Sequence, residues 1–213
     1  MDGVLVDNSA VHMEAFDLFC RRRGVTDWRE KFRSGLNGMG NDDIMRALLP
    51  AELVERVGVR ALGDEKEAIY REIYRPVEIE GLTELLKTFR ARGLCCAVGS
   101  SGCRANVDFI LRECGIGEYF DARISGDAVT RCKPDPEIYL TAAAAVGVDP
   151  SECIVFEDAL SGIESARRAG VEMVVALATT HTAEYLRQHA APLHIISNYK
   201  EFDLKWLDFA KTE

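Results

Sequence analysis

The feature that most constrains the fold of this chain is an alternation of short apolar runs with amphipathic helical segments, which begins after Gly81. The apolar runs cover residues 94–98, 122–124, 153–156, 173–177 and 195–196. Short strands that are apolar throughout are buried on both faces, and helices between consecutive strands favour parallel pairing. The sequence therefore predicts an α/β fold, a doubly wound parallel sheet with helices on both of its faces.

Residues 11–80 have a different pattern, because their apolar residues recur at helical spacing without a strand-like run. The predicted helices cover residues 11–23, 42–49 and 51–74, the last with a break near Gly63, and a glycine-rich loop at 35–40 precedes the second. We expect residues 1–10 and 81–213 to form the α/β core, and residues 11–80 to form an inserted, entirely helical domain.

Composition and charge argue against several classes of function. The 213 residues are 47% hydrophobic and 29% charged, as in ordinary folded domains. Lys and Arg number 26 against 35 Asp and Glu, and the resulting net charge of −9 repels both a nucleic-acid backbone and an anionic membrane. We therefore expect no nucleic-acid partner and no membrane partner. We also expect a monomer, although the charge does not bear on the oligomeric state.

The cysteines and the amino-terminal residues bear on the cellular compartment. The 7 cysteines are an odd number without C-x-x-C spacing, and we expect them to be reduced thiols. No basic segment precedes the short apolar run near Met1, and no apolar stretch is long enough to span a membrane. These features predict a cytoplasmic protein that is neither secreted nor membrane-spanning.

Polar residues follow several of the apolar runs. Ser100 and Ser101 follow the first run, Lys133 stands in the loop after the second, and Glu157 and Asp158 follow the third. Ligands of an open parallel sheet bind at the carboxyl ends of its strands. Phosphoryl transfer needs carboxylates for Mg²⁺, a hydroxyl, an ammonium group and a helix amino terminus around one phosphate. This set of residues therefore predicts a phosphate ligand.

Each of these residues also has an ordinary structural interpretation. A serine before a helix is usually an N-cap, and a lysine in a loop is usually solvated. Asp158 could cap the helix that follows it, although adjacent acids after a buried strand repel each other unless a cation lies between them. The dipeptide Asp2-Gly3 is by itself a common turn sequence. The phosphate interpretation therefore depends on the whole set.

Four motifs resemble those of the haloacid dehalogenase superfamily, within its branch of β-phosphoglucomutase-like phosphatases. Residues 2–7, D-G-V-L-V-D, resemble the second half of the first motif, D-x-D-G-[TV]-L-x-D. Ser100 matches the second motif, Lys133 with the proline after it matches the third, and residues 156–166 match the fourth. The resemblance covers essentially the whole chain, including a helical insertion after the first motif.

The resemblance implies a Mg²⁺-dependent phosphatase of a small phosphorylated metabolite, such as a sugar phosphate, that works through an aspartyl-phosphate. Asp2 would be the general acid and base, and its backbone carbonyl would bind Mg²⁺. Lys133 and Ser100 would also be catalytic, because they would grip the phosphoryl oxygens. The implied phosphate-binding residues are Ser100, Ser101 and Lys133, and the implied metal site comprises Asp2, Asp158 and Glu157, the last as a ligand or as an acid behind the ligands. The helical insertion would be a cap that closes over the site.

The resemblance also places the family's nucleophile two residues before Asp2, just upstream of Met1 in this numbering. The strand that bears this nucleophile is normally central in the sheet, so its two neighbours would be left with unpaired backbone groups. Asp7 is not expected to replace the nucleophile, because by that point the chain should be entering the cap. We expect a start site assigned too late, and the alternative is a non-catalytic relative that still binds phosphate.

One loop of the helical insertion bears on the choice of substrate. In β-phosphoglucomutase the loop that matches residues 36–42 carries a lysine and an arginine that help hold the distal phosphate, whereas this chain has Asn37 and Asn41, on either side of Gly38. Without those cations a sugar bisphosphate would be poorly retained, which favours a simple phosphomonoesterase. His12 matches a hinge histidine of the mutase, so a phosphomutase is the alternative function.

Overall fold

The computed structural model describes residues 1–33, 40–190 and 192–211 of the chain. The chain divides into two compact units. One consists of Met1–Asp7 and Pro76–Glu213 and combines helices with strands, and the other, Asn8–Arg75, is helical. Across the described ranges, no helix combines the length and the apolar character that crossing a bilayer requires.

The helical unit is built around two long helices. Its described helices are α1 (Ser9–Arg23), α2 (Trp28–Arg33), α3 (Asn41–Leu48), α4 (Ala51–Val57) and α5 (Val59–Ile73). α1 ends at Gly24, which takes the left-handed conformation with φ 72°, after three arginines that suit the negative end of the helix. α1 and α5 pack against each other, and their fully buried side chains include Phe19, Leu62 and Tyr70.

Two features of the helical unit differ from the prediction. The break predicted near Gly63 is wrong, because the interruption falls at Gly58, which has φ 91° and separates α4 from α5. Gly63 lies inside α5, where a Cβ would come within 2.5 Å of the side-chain nitrogen of Asn41. The end predicted near residue 74 is confirmed, since α5 ends at Ile73, but the helical character expected up to residue 80 is wrong, because residues 74–80 are not helical.

The other unit alternates helices and strands, as the sequence predicts. Its helices are α6 (Leu82–Ala91), α7 (Arg104–Glu113), α8 (Glu137–Val146), α9 (Leu160–Arg168) and α10 (Ala183–His189). Its strands are β1 (Ala97–Gly99), β2 (Ala122–Ile124), β3 (Ile154–Glu157), β4 (Met173–Leu177) and β5 (His194–Ile196). The run at 94–98 forms a strand only from Ala97 onward, since the N–H of Cys96 is bonded to the carboxylate of Asp121 at 2.9 Å.

Strand pairing is parallel throughout the described strands, which confirms the predicted α/β fold. β1 pairs with β2, with Ala97 opposite Ala122. β4 lies between β3 and β5, with Val175 opposite Phe156 on one side and His194 on the other. The strands form two separate sheets, β1-β2 and β3-β4-β5. Within the described part of the chain, β1 has no strand partner besides β2, and β3 has none besides β4.

The apolar core of this unit lies where helices cover the three-stranded sheet. All five residues of β4 are buried, as expected of a strand that is covered on both faces. Ile138 of α8, Ile163 of α9 and Leu186 of α10 belong to the same buried apolar cluster as Val174 and Ala176 of β4. This packing holds the carboxyl ends of β3 and β4, and the residues that follow them, in fixed positions.

Candidate functional site

Ser100 directly follows β1 and is buried. Its N–H donates to the carbonyl of Ile124 at the end of β2 at 2.9 Å, and its hydroxyl accepts the N–H of Gly102 at 3.0 Å. A Cβ placed on Gly102 would lie 3.2 Å from Ser100 Oγ and 3.5 Å from Asp2 Oδ2. The Ser100 hydroxyl and the Asp2 carboxylate therefore converge at Gly102, and Ser101 is exposed in the same turn.

The turn that follows Asp2 lies against the ends of β3 and β4. Gly3 has φ 65°, and a Cβ there would collide with the carboxylate of Asp158 and lie 3.0 Å from Thr180 Oγ1. Thr179 donates its hydroxyl to the Gly3 carbonyl at 2.6 Å. Only glycine suits this position, because the backbone is left-handed and passes directly over a carboxylate. The Asp2–Gly3 turn therefore brings Asp2 close to Asp158.

Lys133 is the cation of this site. Its Nζ lies 2.5 Å from Glu157 Oε1 and donates to the Tyr139 hydroxyl at 2.9 Å. It also donates to the Gly99 carbonyl at 3.3 Å. The Tyr139 hydroxyl in turn donates to Glu157. Lys133 thus reaches from its loop to the carboxyl ends of both β1 and β3, next to Ser100.

Glu157 ends β3, and both of its carboxylate oxygens have partners. Oε1 faces Lys133 and Tyr139, while Oε2 accepts the N–H groups of Asp158 at 3.1 Å and Ala159 at 3.4 Å. Burial is the largest single influence and would raise the pKa of Glu157, but the charge and hydrogen bond of Lys133, the charge of the amino terminus and the hydrogen bond of Tyr139 together lower this pKa to about 2. Glu157 is therefore ionised at neutral pH and fixes the ammonium group of Lys133.

Asp158 has a less favourable environment than Glu157. It is 8% exposed, and its Oδ2 accepts the hydroxyl proton of Thr180. Burial, followed by the charge of Glu157, raises the pKa of Asp158 from 3.8 to about 6, and the Asp2 carboxylate adds to the repulsion. A buried carboxylate whose ionised form is disfavoured in this way is stabilised when a cation binds beside it.

Asp2 and Asp158 are the residues here that could hold a divalent metal, Asp158 through its carboxylate and Asp2 through its backbone carbonyl. In the ranges that the structure describes, no group of three or more His, Cys, Asp or Glu side chains is arranged to hold a metal ion. Mg²⁺ commonly keeps several waters and takes only one or two protein carboxylates together with substrate phosphates. The buried Asp158 carboxylate, whose pKa is raised, together with a backbone carbonyl oxygen fits that mode of binding. Glu157 lies behind them, because its oxygens are engaged with Lys133 and backbone N–H groups.

The predicted substrate residues of the helical unit are only partly described. His12 stands on α1, and Asn41 begins α3, where its amide packs against Gly63 of α5. Asn37 and Gly38 lie outside the described residues. The contact at Gly63 gives Asn41 a packing role inside its own unit.

Lys66 is a buried cation of the helical unit that sequence reasoning misses. Its Nζ lies 2.9 Å from both His12 Nδ1 and Glu67 Oε1, and 4.3 Å above the ring of Phe16. The His12 ring stacks on Tyr70 with a centroid distance of 4.1 Å. Lys66 could have been found from the sequence by its position on the apolar face of α5. A charged residue on such a face is rarely buried without a partner or a ligand.

Tyr139 is a second residue that sequence reasoning misses. The sequence of α8 gives Tyr139 the pattern of an ordinary core residue, because Tyr139 follows the buried Ile138 and a run of alanines comes after it. Only the folded chain shows that its hydroxyl contacts both Lys133 and Glu157. Its ring is buried, so this hydroxyl forms part of the site from within the core.

Comparisons with known proteins identify the family of this chain. A family model described as haloacid dehalogenase-like hydrolase matches residues 1–170. Validoxylamine A 7'-phosphate phosphatase of Streptomyces hygroscopicus subsp. limoneus is 34% identical over 188 residues, which cover 88% of this chain and 87% of the relative. Fructose-1-phosphate phosphatase YqaB of Escherichia coli (strain K12) is 32% identical over 175 residues, which cover 82% of this chain and 92% of the relative.

Solved structures give the same result. A HAD hydrolase, family IA, variant 3, from Entamoeba histolytica HM-1:IMSS superposes with a TM-score of 0.84 at 26% identity, covering 100% of this chain and 97% of the other. CbbY from Rhodobacter sphaeroides, solved in complex with phosphate, superposes with a TM-score of 0.83 at 25% identity, covering 98% and 96%. The family suggested by the four motifs is thereby confirmed, and the chain belongs to the haloacid dehalogenase-like hydrolases.

Proposed function

We propose that this protein is a Mg²⁺-dependent phosphatase of a small phosphorylated metabolite, such as a sugar phosphate. The observation that carries the proposal is the convergence of Asp2, Ser100, Lys133 and Asp158 at one edge of the α/β unit. A phosphate monoester is the ligand that carboxylates, a hydroxyl and an ammonium group can bind together. Relatives named as phosphatases of validoxylamine A 7'-phosphate and fructose 1-phosphate support the same class of reaction.

Lys133 and Ser100 hold the transferring phosphoryl group in this proposal. Lys133 supplies a positive charge to the phosphoryl oxygens, and Ser100 supplies a hydroxyl. Because Glu157 and Tyr139 already fix the ammonium group, little ordering is needed when substrate binds. Glu157 acts through Lys133 and does not contact the phosphate itself.

Asp2 is the general acid and general base in this proposal. Its carboxyl group lies beside the Ser100 hydroxyl at Gly102, next to the place where the phosphoryl group would sit. As a general acid it protonates the departing oxygen of the substrate, and as a general base it then takes a proton from the attacking water.

Asp158 and the backbone carbonyl of Asp2 hold the metal ion in this proposal. When bound, Mg²⁺ neutralises charge on the phosphoryl oxygens as they approach the carboxylates. Asp158 is suited to this role because its pKa of about 6 leaves it ionised, but unfavourably so, at neutral pH. The Thr180 hydroxyl holds the Asp158 carboxylate in place.

The nucleophile of the aspartyl-phosphate route is an aspartate directly before Met1, so hydrolysis is assigned to a chain that carries one. Its carboxylate forms a bond to phosphorus while the bond from phosphorus to the leaving oxygen breaks, and Asp2 protonates that oxygen. Water assisted by Asp2 then releases inorganic phosphate and regenerates the carboxylate.

The helical unit Asn8–Arg75 is proposed as the cap that selects the substrate. A phosphomutase is the second candidate function, because the buried ammonium group of Lys66 beside His12 supplies this unit with a cation that residues 36–42 lack. Supplying β-glucose 1-phosphate with a trace of its bisphosphate separates the two functions. Release of free glucose supports the phosphatase, whereas preferential formation of glucose 6-phosphate supports the mutase.

The main experiment uses the chain with an upstream segment that ends in aspartate directly before Met1, and a matched chain in which that aspartate is asparagine. We expect Mg²⁺-dependent phosphate release from an aryl phosphate by the first chain and none by the second. Asp2→Asn and Asp158→Ala should each abolish turnover. Turnover undiminished by EDTA would contradict the metal site, and phosphate binding without any turnover would favour the non-catalytic alternative.

A further inference from the structure

The loop between β2 and α8 carries Lys133, and one carboxylate holds the part of this loop that precedes it. Glu137, the first residue of α8, accepts the N–H of Thr130 at 2.8 Å through Oε1. Its Oε2 accepts the hydroxyl of Thr130 at 2.8 Å and the N–H of Arg131 at 2.9 Å. Three hydrogen bonds therefore tie residues 130 and 131 to the beginning of α8.

The hydrogen bonds to Glu137 are strengthened by its charge. The N–H of Thr130, followed by the Thr130 hydroxyl, lowers the pKa of Glu137, so the carboxylate is ionised at neutral pH. Arg131 Nε lies 3.7 Å from Oε2 and favours the same ionised form. Hydrogen bonds to an ionised group are about twice as strong as those between neutral groups. Glu137 therefore holds the beginning of the loop firmly.

The other end of the loop is held by α9. The N–H of Asp135 donates to the carbonyl of Cys132 at 3.0 Å, which closes a turn with Lys133 inside it. The Asp135 carbonyl accepts the hydroxyl of Ser165, a buried residue of α9, at 2.6 Å. Asp135 Oδ1 also accepts the N–H of Glu137 at 3.0 Å. The loop is therefore fixed by Glu137 before Lys133 and by α9 after it.

The position of the loop matters because the ammonium group of Lys133 makes three directed contacts. Its Nζ lies 2.5 Å from the Glu157 carboxylate, 2.9 Å from the Tyr139 hydroxyl and 3.3 Å from the Gly99 carbonyl. Hydrogen bonds weaken steeply when their distances and angles depart from the preferred geometry. A shift of the loop by about 1 Å would therefore misplace the ammonium group.

We propose that Glu137 is a positioning residue, which fixes the loop of Lys133 and thereby aims the ammonium group at a phosphoryl oxygen. The step from Glu137 to Lys133 depends only on the contacts of the loop. The step from Lys133 to a phosphoryl oxygen rests on the proposed function. A glutamate in the first turn of a helix also favours the helix through its charge, so the test must separate this general effect from the positioning of Lys133.

The test compares two glutamates that each lie in the first turn of a helix. Glu137→Gln keeps the size of the side chain but removes its charge and replaces one acceptor with a donor. Glu84→Gln makes the same change in α6, where Glu84 pairs with Lys87 of its own helix. The measurement is the rate at which acetic anhydride acetylates Lys133 in the native chain, read by peptide mass spectrometry against the exposed Lys205.

We expect Lys133, whose side chain is 10% exposed, to be acetylated about tenfold faster in Glu137→Gln than in the wild type. Glu84→Gln should leave the rate unchanged, because the general effect on a helix does not reach Lys133. Equal rates in Glu137→Gln and the wild type would overturn the proposal. If Glu137→Gln does not fold, Thr130→Val, which removes only the hydroxyl donor, takes its place with a smaller expected increase. An unchanged rate in that variant would also overturn the proposal.

Phosphate binding tests the functional step separately. In calorimetry with Mg²⁺ present, Glu137→Gln should bind inorganic phosphate about tenfold more weakly than the wild type, and Glu84→Gln should bind it equally well. Faster acetylation of Lys133 without weaker phosphate binding would overturn the role of Glu137 in the site. If the wild type itself binds no phosphate, the proposed function fails, while the acetylation rates still decide whether Glu137 positions Lys133.

Discussion

At the scale of single residues, the site depends on how each of two adjacent acids is compensated. Burial would raise the pKa of Glu157, but Lys133 and its other partners together lower it to about 2, whereas Asp158 has a pKa of about 6 because burial and Glu157 both disfavour its charge. The sequence could predict both acids, since they follow a buried strand. It could not predict this difference, because Tyr139 and Lys133 reach Glu157 from other parts of the chain.

Asp158→Asn should stabilise the metal-free protein. The folded-state pKa of Asp158 lies above its ordinary value of 3.8, so its ionisation destabilises the fold above about pH 6, by at most about 3 kcal/mol. Asparagine removes the charge and can still accept the Thr180 hydroxyl. We expect the variant to be more stable by about 1 to 3 kcal/mol in urea unfolding at pH 8 with EDTA.

The pH dependence of this difference in stability between the wild type and Asp158→Asn tests whether the charge on Asp158 causes it. As the pH falls from 7 through 6 toward 3.8, Asp158 takes up a proton in the folded protein before it does so in the unfolded chain, so the destabilisation shrinks and the gap between the two proteins should narrow. Glu157, whose pKa is lowered, contributes stability above about pH 4.5 and stays ionised over this range. A variant that is less stable than the wild type at pH 8 would contradict an unfavourable charge on Asp158.

Tyr139→Phe should weaken the site from within the core. The change removes the hydroxyl that accepts from Lys133 and donates to Glu157, in a buried position. We expect a loss of about 1 to 2 kcal/mol in urea unfolding and weaker binding of inorganic phosphate in calorimetry. Tyr185→Phe, on the more exposed α10, is the control. Equal phosphate binding by the Tyr139 variant and the wild type would show that this hydroxyl does not position Lys133.

At the scale of elements, the apolar runs predict the positions of the strands well. The glycines predict the interruptions of the helices less well. The runs at 122–124 and 173–177 coincide with β2 and β4. Gly58 and Gly63 are equivalent in the sequence pattern, but only Gly58 has a positive φ and interrupts the helix. A Cβ at Gly63 would meet the end of the Asn41 side chain, which comes from a different helix and is not visible in the local sequence pattern.

Two helical glycines should respond in opposite ways to substitution by alanine, which intrinsically favours a helix by about 1 kcal/mol. A Cβ at Gly162 of α9 would collide with the Glu157 carboxylate, which Lys133 and Tyr139 hold in place. A Cβ at Gly63 of α5 meets only the end of the Asn41 side chain, which can rotate away.

We therefore expect Gly162→Ala to lower the free energy of unfolding and to weaken phosphate binding, and Gly63→Ala to be neutral or stabilising. Thermal unfolding and calorimetry of phosphate binding, measured for both variants, test this expectation. Stabilisation by Gly162→Ala with phosphate binding intact would mean that the Glu157 carboxylate is not held in place.

At the scale of the whole molecule, the motifs predicted the family and the alternation predicted the fold class, and both are confirmed. The order of the strands could not be predicted, because it depends on pairing between segments that are far apart in sequence. The separation into two sheets with a cavity between β1 and β3 depends on that order. The convergence of four distant side chains follows from the shared direction of the strands.

Linked binding of Mg²⁺ and inorganic phosphate to the 213-residue chain shows whether Asp2, Ser100, Lys133 and Asp158 form one site. In calorimetry, saturating Mg²⁺ should tighten phosphate binding by about tenfold or more. Lys133→Met should lose phosphate binding, and Asp158→Asn should lose the effect of Mg²⁺. Phosphate binding that is indifferent to Mg²⁺ and to both substitutions would contradict a shared site.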